Sequence, residues 1–316
     1  MAQPPPISNG NRRQFLRHVA GAAAISVASP AVTSALAQKP TPAKATAPAK
    51  TLQLYKAVKW GMIEDAPTVL DRFRVCQEVG FDGMELISPA DFSAQEVRQA
   101  SDATGLPVHG LVDMKHWDVR LSSPDAKVRD EGVAILRQAI IDCHAFGGFS
   151  VLLVPGRVNG ADETHDHVWN RSIEGIRQIL PLASRLGVRI LIENVWNGFC
   201  ETPEQYRDYL DAIGSPWVGA YFDIGNVIKF SPSQQWIETL GPRIVKLDVK
   251  DWSKTQGFKA KIGEGDVDWP AVRLALGKIG YSGWATAEVA GGDSTWLADV
   301  AQRMNNVLLS SIFNPR

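Results

Sequence analysis

The sequence predicts an α/β fold built as a single (β/α)8 barrel, also called a TIM barrel. Eight short runs rich in β-branched residues alternate with longer amphipathic stretches, and a repeated strand-helix unit implies a parallel sheet. About 260 residues carry these units, which is a common size for one closed barrel. No Gly-x-Gly-x-x-Gly segment follows the first strand, so a dinucleotide-binding sheet has no support. We therefore expect one barrel, with its functional site at the carboxyl ends of the strands.

Strands and helices alternate along most of the chain. The predicted strands are the segments 57–63, 82–87, 107–112, 149–154, 188–193, 217–223, 244–249 and 284–289. The stretches between them, such as APTVLDRFRVCQEVG and DEGVAILRQAIIDCHAFG, repeat apolar residues at i, i+3 and i+4 and end in glycine. This spacing and this ending are typical of amphipathic helices.

The N-terminal segment is predicted to lie outside the barrel. Residues 1–37 combine the pair Arg12-Arg13, a weakly apolar run and a final Ala-Leu-Ala, a pattern that resembles a twin-arginine export signal. An ordinary secretory signal or an uncleaved anchor is the alternative. Residues 38–54 are rich in Pro, Ala and Lys and indicate a linker, which leaves residues 55–316 as the catalytic domain. We expect a periplasmic or otherwise exported protein without stable membrane insertion after the signal is cleaved.

Charge and cysteine content exclude several classes of function. A formal net charge of −1 over 316 residues offers no strong basic field for nucleic acid or an anionic membrane. Cys76, Cys143 and Cys200 lie far apart in the chain, which argues against a disulfide framework and against a thiolate metal site. We expect a small-molecule partner and no nucleic acid; a homo-oligomer is compatible with this composition.

Acidic residues mark the ends of four consecutive predicted strands. Glu193 ends the fifth and Asp223 the sixth, while Asp248 and Glu288 lie near the ends of the seventh and eighth. In a barrel these ends share one face, and crowded carboxylates persist there only if a cation or protons neutralise them. Oxygen ligands favour Mg²⁺ or Mn²⁺ over Zn²⁺. The sequence thus predicts one divalent ion on these four residues, and pairing with lysine or arginine inside the barrel is the alternative.

The seventh strand, within RIVKLDVKDW, alternates charged and apolar residues at period two. We expect its charged side chains, Lys246, Asp248 and Lys250, to face the lumen. We expect its apolar side chains, Val245, Leu247 and Val249, to face the helices. The two lysines, together with Lys261 in the next loop, are candidates to balance the charge of Asp248.

Several motifs in order resemble the xylose-isomerase-like TIM-barrel family of sugar isomerases and epimerases. The resemblance covers roughly residues 57–312 and includes GFDGMEL at the second strand, GGFSVLLVPG at the fourth, ILIEN at the fifth, FDIGN at the sixth, VKLDVKDW at the seventh and TAEV at the eighth. It implies a Mn²⁺ or Mg²⁺ ion held by Glu193, Asp223, Asp248 and Glu288. Asp248 departs from the family pattern, in which this ligand is usually neutral.

The resemblance also implies proton transfer on a sugar. In the family two glutamates, here Glu193 and Glu288, act as catalytic acid and base while the ion stabilises an enediolate. We expect a metal-dependent isomerase or epimerase that acts on an unphosphorylated keto sugar, because sugar phosphates are largely retained in the cytoplasm. The alternatives are a lyase that cleaves 3-keto-glycosides by enolisation and β-elimination at the same site, and a sugar-binding protein without turnover.

Further candidates for substrate binding are His109, His116, Asn226 and Lys261. His109 lies on the inward face of the third strand, and His116 lies in the loop that follows it. Asn226 stands three residues after Asp223, where a histidine is common in the family, and Lys261 precedes GEGD, where the family often has a basic residue. The alternatives are a core role for His109 and ordinary surface positions for the loop residues.

Overall fold

A computed structural model describes residues 52–309, which form one closed barrel of eight parallel strands. The strands are β1 (Gln53–Lys59), β2 (Gly83–Ser88), β3 (Val108–Asp113), β4 (Ser150–Leu153), β5 (Arg189–Glu193), β6 (Val218–Asp223), β7 (Ile244–Val249) and β8 (Ser282–Ala287). Each strand pairs with its neighbour in chain order, and β8 closes the barrel against β1. The predicted single (β/α)8 barrel is confirmed.

A helix follows every strand, as the alternating pattern predicts. The helices are α1 (Val69–Glu78), α2 (Ala94–Thr104), α3 (Ala126–Ala145), α4 (His165–Leu186), α5 (Pro203–Ile213), α6 (Ser233–Leu240), α7 (Trp269–Ile279) and α8 (Ser294–Met304). Short 3₁₀ turns span Trp60–Met62, Asn226–Lys229 and Gly241–Arg243, and a π-helical turn spans Asn305–Leu309. None of the helices between residues 52 and 309 combines the length and apolar character needed to cross a bilayer.

Local sequence signals set the ends of several helices. Ser93, Thr164 and Thr202 each form a capping box, in which the hydroxyl accepts a backbone N–H bond at the start of α2, α4 and α5 respectively. At the other end, α2 and α4 stop at Gly105 and Gly187, which adopt the left-handed conformation. Local sequence therefore determines where these helices begin and end.

Two predicted strands differ from the observed ones in a way that matters for the site. The first strand is predicted at 57–63, but β1 ends at Lys59 because Trp60–Met62 turns into a 3₁₀ helix. The last strand is predicted at 284–289, whereas β8 ends at Ala287, so Glu288 follows the strand directly. Lys59 and Glu288 are consequently both at strand ends. The predicted signal at 1–37 lies outside the described residues, as does most of the predicted linker, although β1 begins at Gln53 within it.

A register shift in β7 turns one valine into the lumen, so the predicted outward position of Val245 is wrong. Opposite β6, Ala220 pairs with Ile244 and Tyr221 pairs with Lys246, which leaves Val245 as an extra residue. Val245 packs against an interior cluster of Leu152, Leu191 and Tyr221. Gly219 leaves the room for it, because a Cβ there would lie 2.5 Å from Cγ2 of Val245. The outward positions of Leu247 and Val249, in the helix-facing core, agree with the prediction.

A buried ion pair joins the loop before α3 to the loop before α4. The guanidinium of Arg120 donates two hydrogen bonds, of 2.9 and 2.8 Å, to the two carboxylate oxygens of Glu163. The hydroxyl of Ser122 donates to the same carboxylate. Glu163 is 1% exposed, so its charge depends on these partners. These hydrogen bonds therefore join two loops on the face of the barrel that carries the carboxyl ends of the strands.

We expect Glu163→Gln to lower the free energy of unfolding by roughly 2 kcal/mol, because Arg120 loses a charged partner. Urea unfolding at pH 7 measures this, with the exposed residue Glu174 as control: Glu174→Gln should change stability by less than about 0.5 kcal/mol.

Although burial acts to raise the pKa of Glu163, the bonds from Arg120 and Ser122 lower it below the ordinary value. The contribution of the Glu163 carboxylate to the free energy of unfolding is therefore complete above its unfolded-state pKa of about 4.3. It is lost as the pH falls through the lower pKa of the folded state. A difference between wild type and variant that stays constant into acid would contradict this account.

Candidate active site and metal centre

Four carboxylates meet at the C-terminal end of the barrel, one from each of four consecutive strands. Glu193 and Asp223 are the last residues of β5 and β6, Asp248 lies near the end of β7, and Glu288 follows β8. Each offers one oxygen atom, and these four atoms all lie within 4.8 Å of one another. The structure thus brings together the acidic residues that the sequence singled out, which we call the acidic cluster.

A cavity of about 390 Å³ opens beside the acidic cluster and divides it into two pairs. Glu193 and Glu288 line this cavity, whereas Asp223 and Asp248 do not line it and are fully buried. The remaining walls are largely apolar, and those from the loops after β1 and β3 include Trp60, Met114 and Trp117. A ligand in the cavity would therefore meet the two glutamates directly, with the two aspartates behind them.

Two lysines neutralise part of the acidic cluster. Nζ of Lys59 lies 2.9 Å from Oδ2 of Asp248 and 2.7 Å from Oε1 of Glu288. Nζ of Lys250 lies 2.8 Å from Oδ2 of Asp223 and 2.7 Å from Oε2 of Glu288. Four ionised carboxylates and two ammonium groups leave a formal charge of −2. Buried charge of this size calls for a further cation or for protons.

The lysines separate the electrostatic environments of the two glutamates. Although burial acts to raise the pKa of Glu288, Lys59 and Lys250 hold it below the usual range of a glutamate. Burial, followed by the nearby carboxylate of Glu288, raises the pKa of Glu193 well above that range. Among residues 52–309, Glu193 has no lysine or arginine at ion-pair distance. The pKa values of two glutamates that line the same cavity are thus shifted in opposite directions, a pattern typical of acid/base sites.

Asp223 is held in place by two asparagines. The backbone N–H of Asn226 donates to Oδ1 of Asp223 at 2.8 Å, and the side chain of Asn226 donates to the carbonyl of Asn194. Asn194 in turn bonds the backbone N–H and the carbonyl of Asp223 through its side-chain amide, at 2.9 Å each. Asn226, predicted to bind substrate, therefore positions a member of the acidic cluster, and it does not line the cavity.

A polar layer lies in the lumen beneath the acidic cluster. The fully buried Lys246 donates to the carbonyl of His109 at 2.8 Å, and its Nζ lies 2.5 Å from Nδ1 of the same residue. The hydroxyl of Tyr221 donates to Glu85 at 2.9 Å, and the hydroxyl of Thr286 lies 2.7 Å away. Burial, reinforced by Lys246, lowers the pKa of His109 well below its ordinary value. His109 belongs to this layer and does not line the cavity.

The remaining predicted binding residues occupy different places. His116 lines the same cavity as the two glutamates. Lys261 lies outside the acidic cluster: its Nζ is 3.4 Å from Asp299 and 5.0 Å from the ring centre of Trp296. It lines a separate cavity of about 240 Å³ between the loop after β7 and α8. Neither Lys246 nor Lys261 is the partner of Asp248.

The partner of Asp248 is Lys59, which the sequence analysis did not single out. A signal for it exists, because Lys59 is the last residue of β1 and a charged residue at a strand end points to the functional face of a barrel. The predicted first strand, 57–63, ends four residues after β1, so Lys59 did not stand at a predicted strand end. Lys250 was among the lysines considered, and it pairs with Asp223 and Glu288 instead of Asp248.

Comparisons with known proteins identify a family and several relatives. The model of the xylose isomerase-like TIM barrel family matches residues 73–307. The L-ribulose-5-phosphate 3-epimerase UlaE of Escherichia coli (strain SE11) is 28% identical over 247 residues, which represent 73% of this chain and 86% of that protein. The corresponding protein of Salmonella paratyphi C (strain RKS4594) is 27% identical over the same length.

Solved structures share the fold at lower identity. The D-allulose 3-epimerase from Methylomonas sp. superimposes with a TM-score of 0.67 and 17% identity, covering 82% of this chain and 98% of that one. The 3-keto-D-glucoside 4-epimerase YcjR from E. coli superimposes with a TM-score of 0.69 and 16% identity, covering 80% of this chain and all of that one (100%). At these identities the superpositions establish a common barrel.

We expect His116 to stay neutral, with its proton on Nε2, from pH 5 to pH 8. Burial, followed by the charge of Lys59, lowers its pKa to about 3. The backbone N–H of Val154 donates to Nδ1 at 3.3 Å, which leaves Nε2 to carry the proton. Nitrogen-15 NMR of the imidazole should show this tautomer throughout the range, with His116→Gln identifying the signal. Protonation of the ring above pH 5 would contradict the assignment.

Proposed function

This chain belongs to the xylose isomerase-like TIM barrel family, and on that premise we propose that it is a sugar epimerase or isomerase that depends on one divalent metal ion. The arrangement of the acidic cluster carries the proposal. Two glutamates face the cavity, and two aspartates lie buried behind them. This separates the groups that can exchange protons with a substrate from those that can serve only as ligands. The relatives of known name act on sugars as epimerases, which supports the same class of reaction.

The residues fit a hard divalent cation, Mn²⁺ or Mg²⁺. All four side chains of the acidic cluster offer oxygen atoms, which these ions prefer. Oδ1 of Asp248 is buried without a hydrogen-bond partner in the part of the chain that the structure describes. The formal charge of −2 that remains after Lys59 and Lys250 is the charge that one such ion would neutralise. When bound, the ion would polarise the carbonyl and the adjacent hydroxyl of a sugar.

Glu193 and Glu288 are the residues proposed to move the proton. Enolisation removes a proton from the carbon beside the carbonyl, and its return to the other face or to the neighbouring carbon gives an epimer or an isomer. Glu193 ends β5 and Glu288 directly follows β8, and both line the cavity. Hydrogen bonds from Lys59 and Lys250 hold both oxygens of Glu288 and so fix its orientation.

The proposed substrate is an unphosphorylated keto sugar. Lys59 is the one cationic side chain among the described residues that line the cavity, and its ammonium is already engaged with Asp248 and Glu288. Burial also keeps His116 neutral. A phosphate group is usually bound by cationic side chains. It would find no free cation on these walls. In this respect we propose a difference from the relatives named for L-ribulose 5-phosphate.

We further propose that the protein is exported through a twin-arginine signal. The support is the N-terminal sequence alone, because residues 1–37 lie outside the described residues. Export and an unphosphorylated substrate agree with each other, since phosphorylated sugars are charged and largely confined to the cytoplasm.

We expect Asp223→Ala to lose bound metal and turnover together. The purified wild type should carry about one equivalent of Mn²⁺ or Mg²⁺ by elemental analysis, and turnover of a keto-sugar panel in D₂O should place deuterium beside the carbonyl. Asp102→Ala, at an exposed position on α2, is the control and should keep both properties.

Three results would redirect the proposal. Stoichiometric metal in folded Asp223→Ala would remove the acidic cluster as the metal site. An unsaturated product with release of an alcohol would indicate the lyase reaction on the same site. Binding of sugars without any deuterium exchange would leave a binding protein in place of an enzyme.

We expect the charge of Asp248 and that of Lys59 to compensate each other in metal binding. Asp248→Asn leaves a formal −1 and should weaken Mn²⁺ binding at least tenfold, or about 1.4 kcal/mol. Adding Lys59→Met to Asp248→Asn returns the charge to −2 and should recover much of the loss. Lys261→Met in the same background is the control, because Lys261 pairs with Asp299. Calorimetric titration of Mn²⁺ without substrate measures all four proteins, and a double variant that binds no better than Asp248→Asn would contradict the compensation.

A further inference from the structure

An exposed cluster of aromatic rings lies near the acidic cluster and outside the walls of the cavity. It consists of Trp196 in the loop after β5 and of Trp252 and Phe258 in the loop after β7. Trp196 is 39% exposed and Phe258 is 43% exposed, although both rings are large and apolar. The ring centres of Trp196 and Phe258 lie 4.8 Å apart, and those of Trp196 and Trp252 lie 6.0 Å apart. We call these three residues the aromatic shelf.

The aromatic shelf is one side chain away from the acidic cluster. Nζ of Lys250 lies 4.9 Å from the ring centre of Phe258 and 2.7 Å from Oε2 of Glu288. On the other side, the indole N–H of Trp196 donates to the carbonyl of Asn226 at 2.6 Å. The backbone N–H of the same Asn226 donates to Asp223. Lys250 and Asn226 therefore each contact both the aromatic shelf and the acidic cluster.

The shelf is separate from the walls that enclose the reacting part of a substrate. None of its three residues lines the cavity of about 390 Å³, whose walls include Trp60 and Trp117. Phe258 also lines the separate cavity of about 240 Å³ that contains Lys261. Exposed apolar surface rimmed by polar groups marks ligand grooves in many proteins. Here the rim is cationic, because Nζ of Lys229 lies 4.6 Å from the ring centre of Trp196.

We propose that the aromatic shelf is a second subsite, which binds a second sugar ring linked to the ring that reacts. The proposal rests on the proposed function, because it takes the reacting ring to lie in the cavity beside Glu193 and Glu288. A sugar ring has an apolar C–H face that packs on an aromatic ring and a hydroxyl edge that accepts hydrogen bonds from an ammonium. The shelf and Lys229 offer these two kinds of contact side by side.

The assigned substrate class is thus a glycoside or oligosaccharide, and not a free monosaccharide. A monosaccharide would fill the cavity and leave the shelf exposed to water. A glycoside would cover both, and the ring of Trp196, which its hydrogen bond to Asn226 already holds, would not have to be ordered on binding, which favours affinity.

Calorimetric titration with two probes tests the subsite without turnover. Methyl β-D-glucoside has one ring and methyl β-cellobioside has two, and neither has a free carbonyl to enolise. The wild type should bind the two-ring probe roughly fivefold to tenfold more tightly than the one-ring probe. Phe258→Ala and Trp196→Ala should each reduce that ratio toward one.

Two control variants separate stacking from other effects. Trp196→Phe keeps an aromatic ring but removes the hydrogen bond to Asn226, so a ratio close to that of the wild type would assign the effect to stacking. Tyr55→Ala removes a ring that is 41% exposed at the opposite end of the barrel, and it should leave the ratio unchanged. Thermal unfolding of each variant establishes that it is folded, and Phe258, which is exposed, is the variant least able to disturb the core.

Equal binding of the two probes by the wild type would overturn the subsite, as would a ratio that survives in both Phe258→Ala and Trp196→Ala. These outcomes are independent of the keto-sugar panel. Absence of turnover in the panel would count against the proposed function and leave the binding ratio as it stands.

Discussion

Crowding of four carboxylates at one end of a buried lumen is the constraint on which the rest of the site depends. Like charges so close together, three of them almost out of contact with water, are costly unless they are paired. Lys59 and Lys250 supply half of the compensating charge. They do so because β8 lies between β1 and β7, so that Glu288 receives one lysine from each neighbouring strand. The site is therefore complete only when the barrel is closed at the β1–β8 seam.

An apolar layer and a polar layer of side chains fill the lumen below the acidic cluster. Apolar side chains, including Leu191 and the inward-turned Val245, pack around the ring of Tyr221. The hydroxyl of Tyr221 and the ammonium of Lys246 then form a polar layer through hydrogen bonds to Glu85 and His109. Lys59 links this layer to the acidic cluster, because its Nζ lies 3.9 Å from Oε2 of Glu85 and 2.9 Å from Oδ2 of Asp248.

The two aspartates and the two glutamates of the acidic cluster occupy different environments. The two aspartates are fully buried and tied to other groups, Asp223 through asparagines and Asp248 through Lys59. The two glutamates have one more methylene group and reach the cavity, where a substrate could touch them. The same end of the barrel carries aromatic rings in the loops after β1 and β3 and in the loops after β5 and β7.

The sequence by itself determined the barrel and the four acids, because both depend on patterns that lie along the chain. Strand-helix alternation, capping residues and acids at strand ends are local signals, and in a closed parallel barrel equivalent strand ends must share a face. Only the tertiary structure decided that Lys59 is the partner of Asp248 and that Val245 turns inward. Both depend on pairing between strands that are distant in the chain or shifted in register, β1 with β8 and β6 with β7. The pattern along a single strand does not specify these pairings.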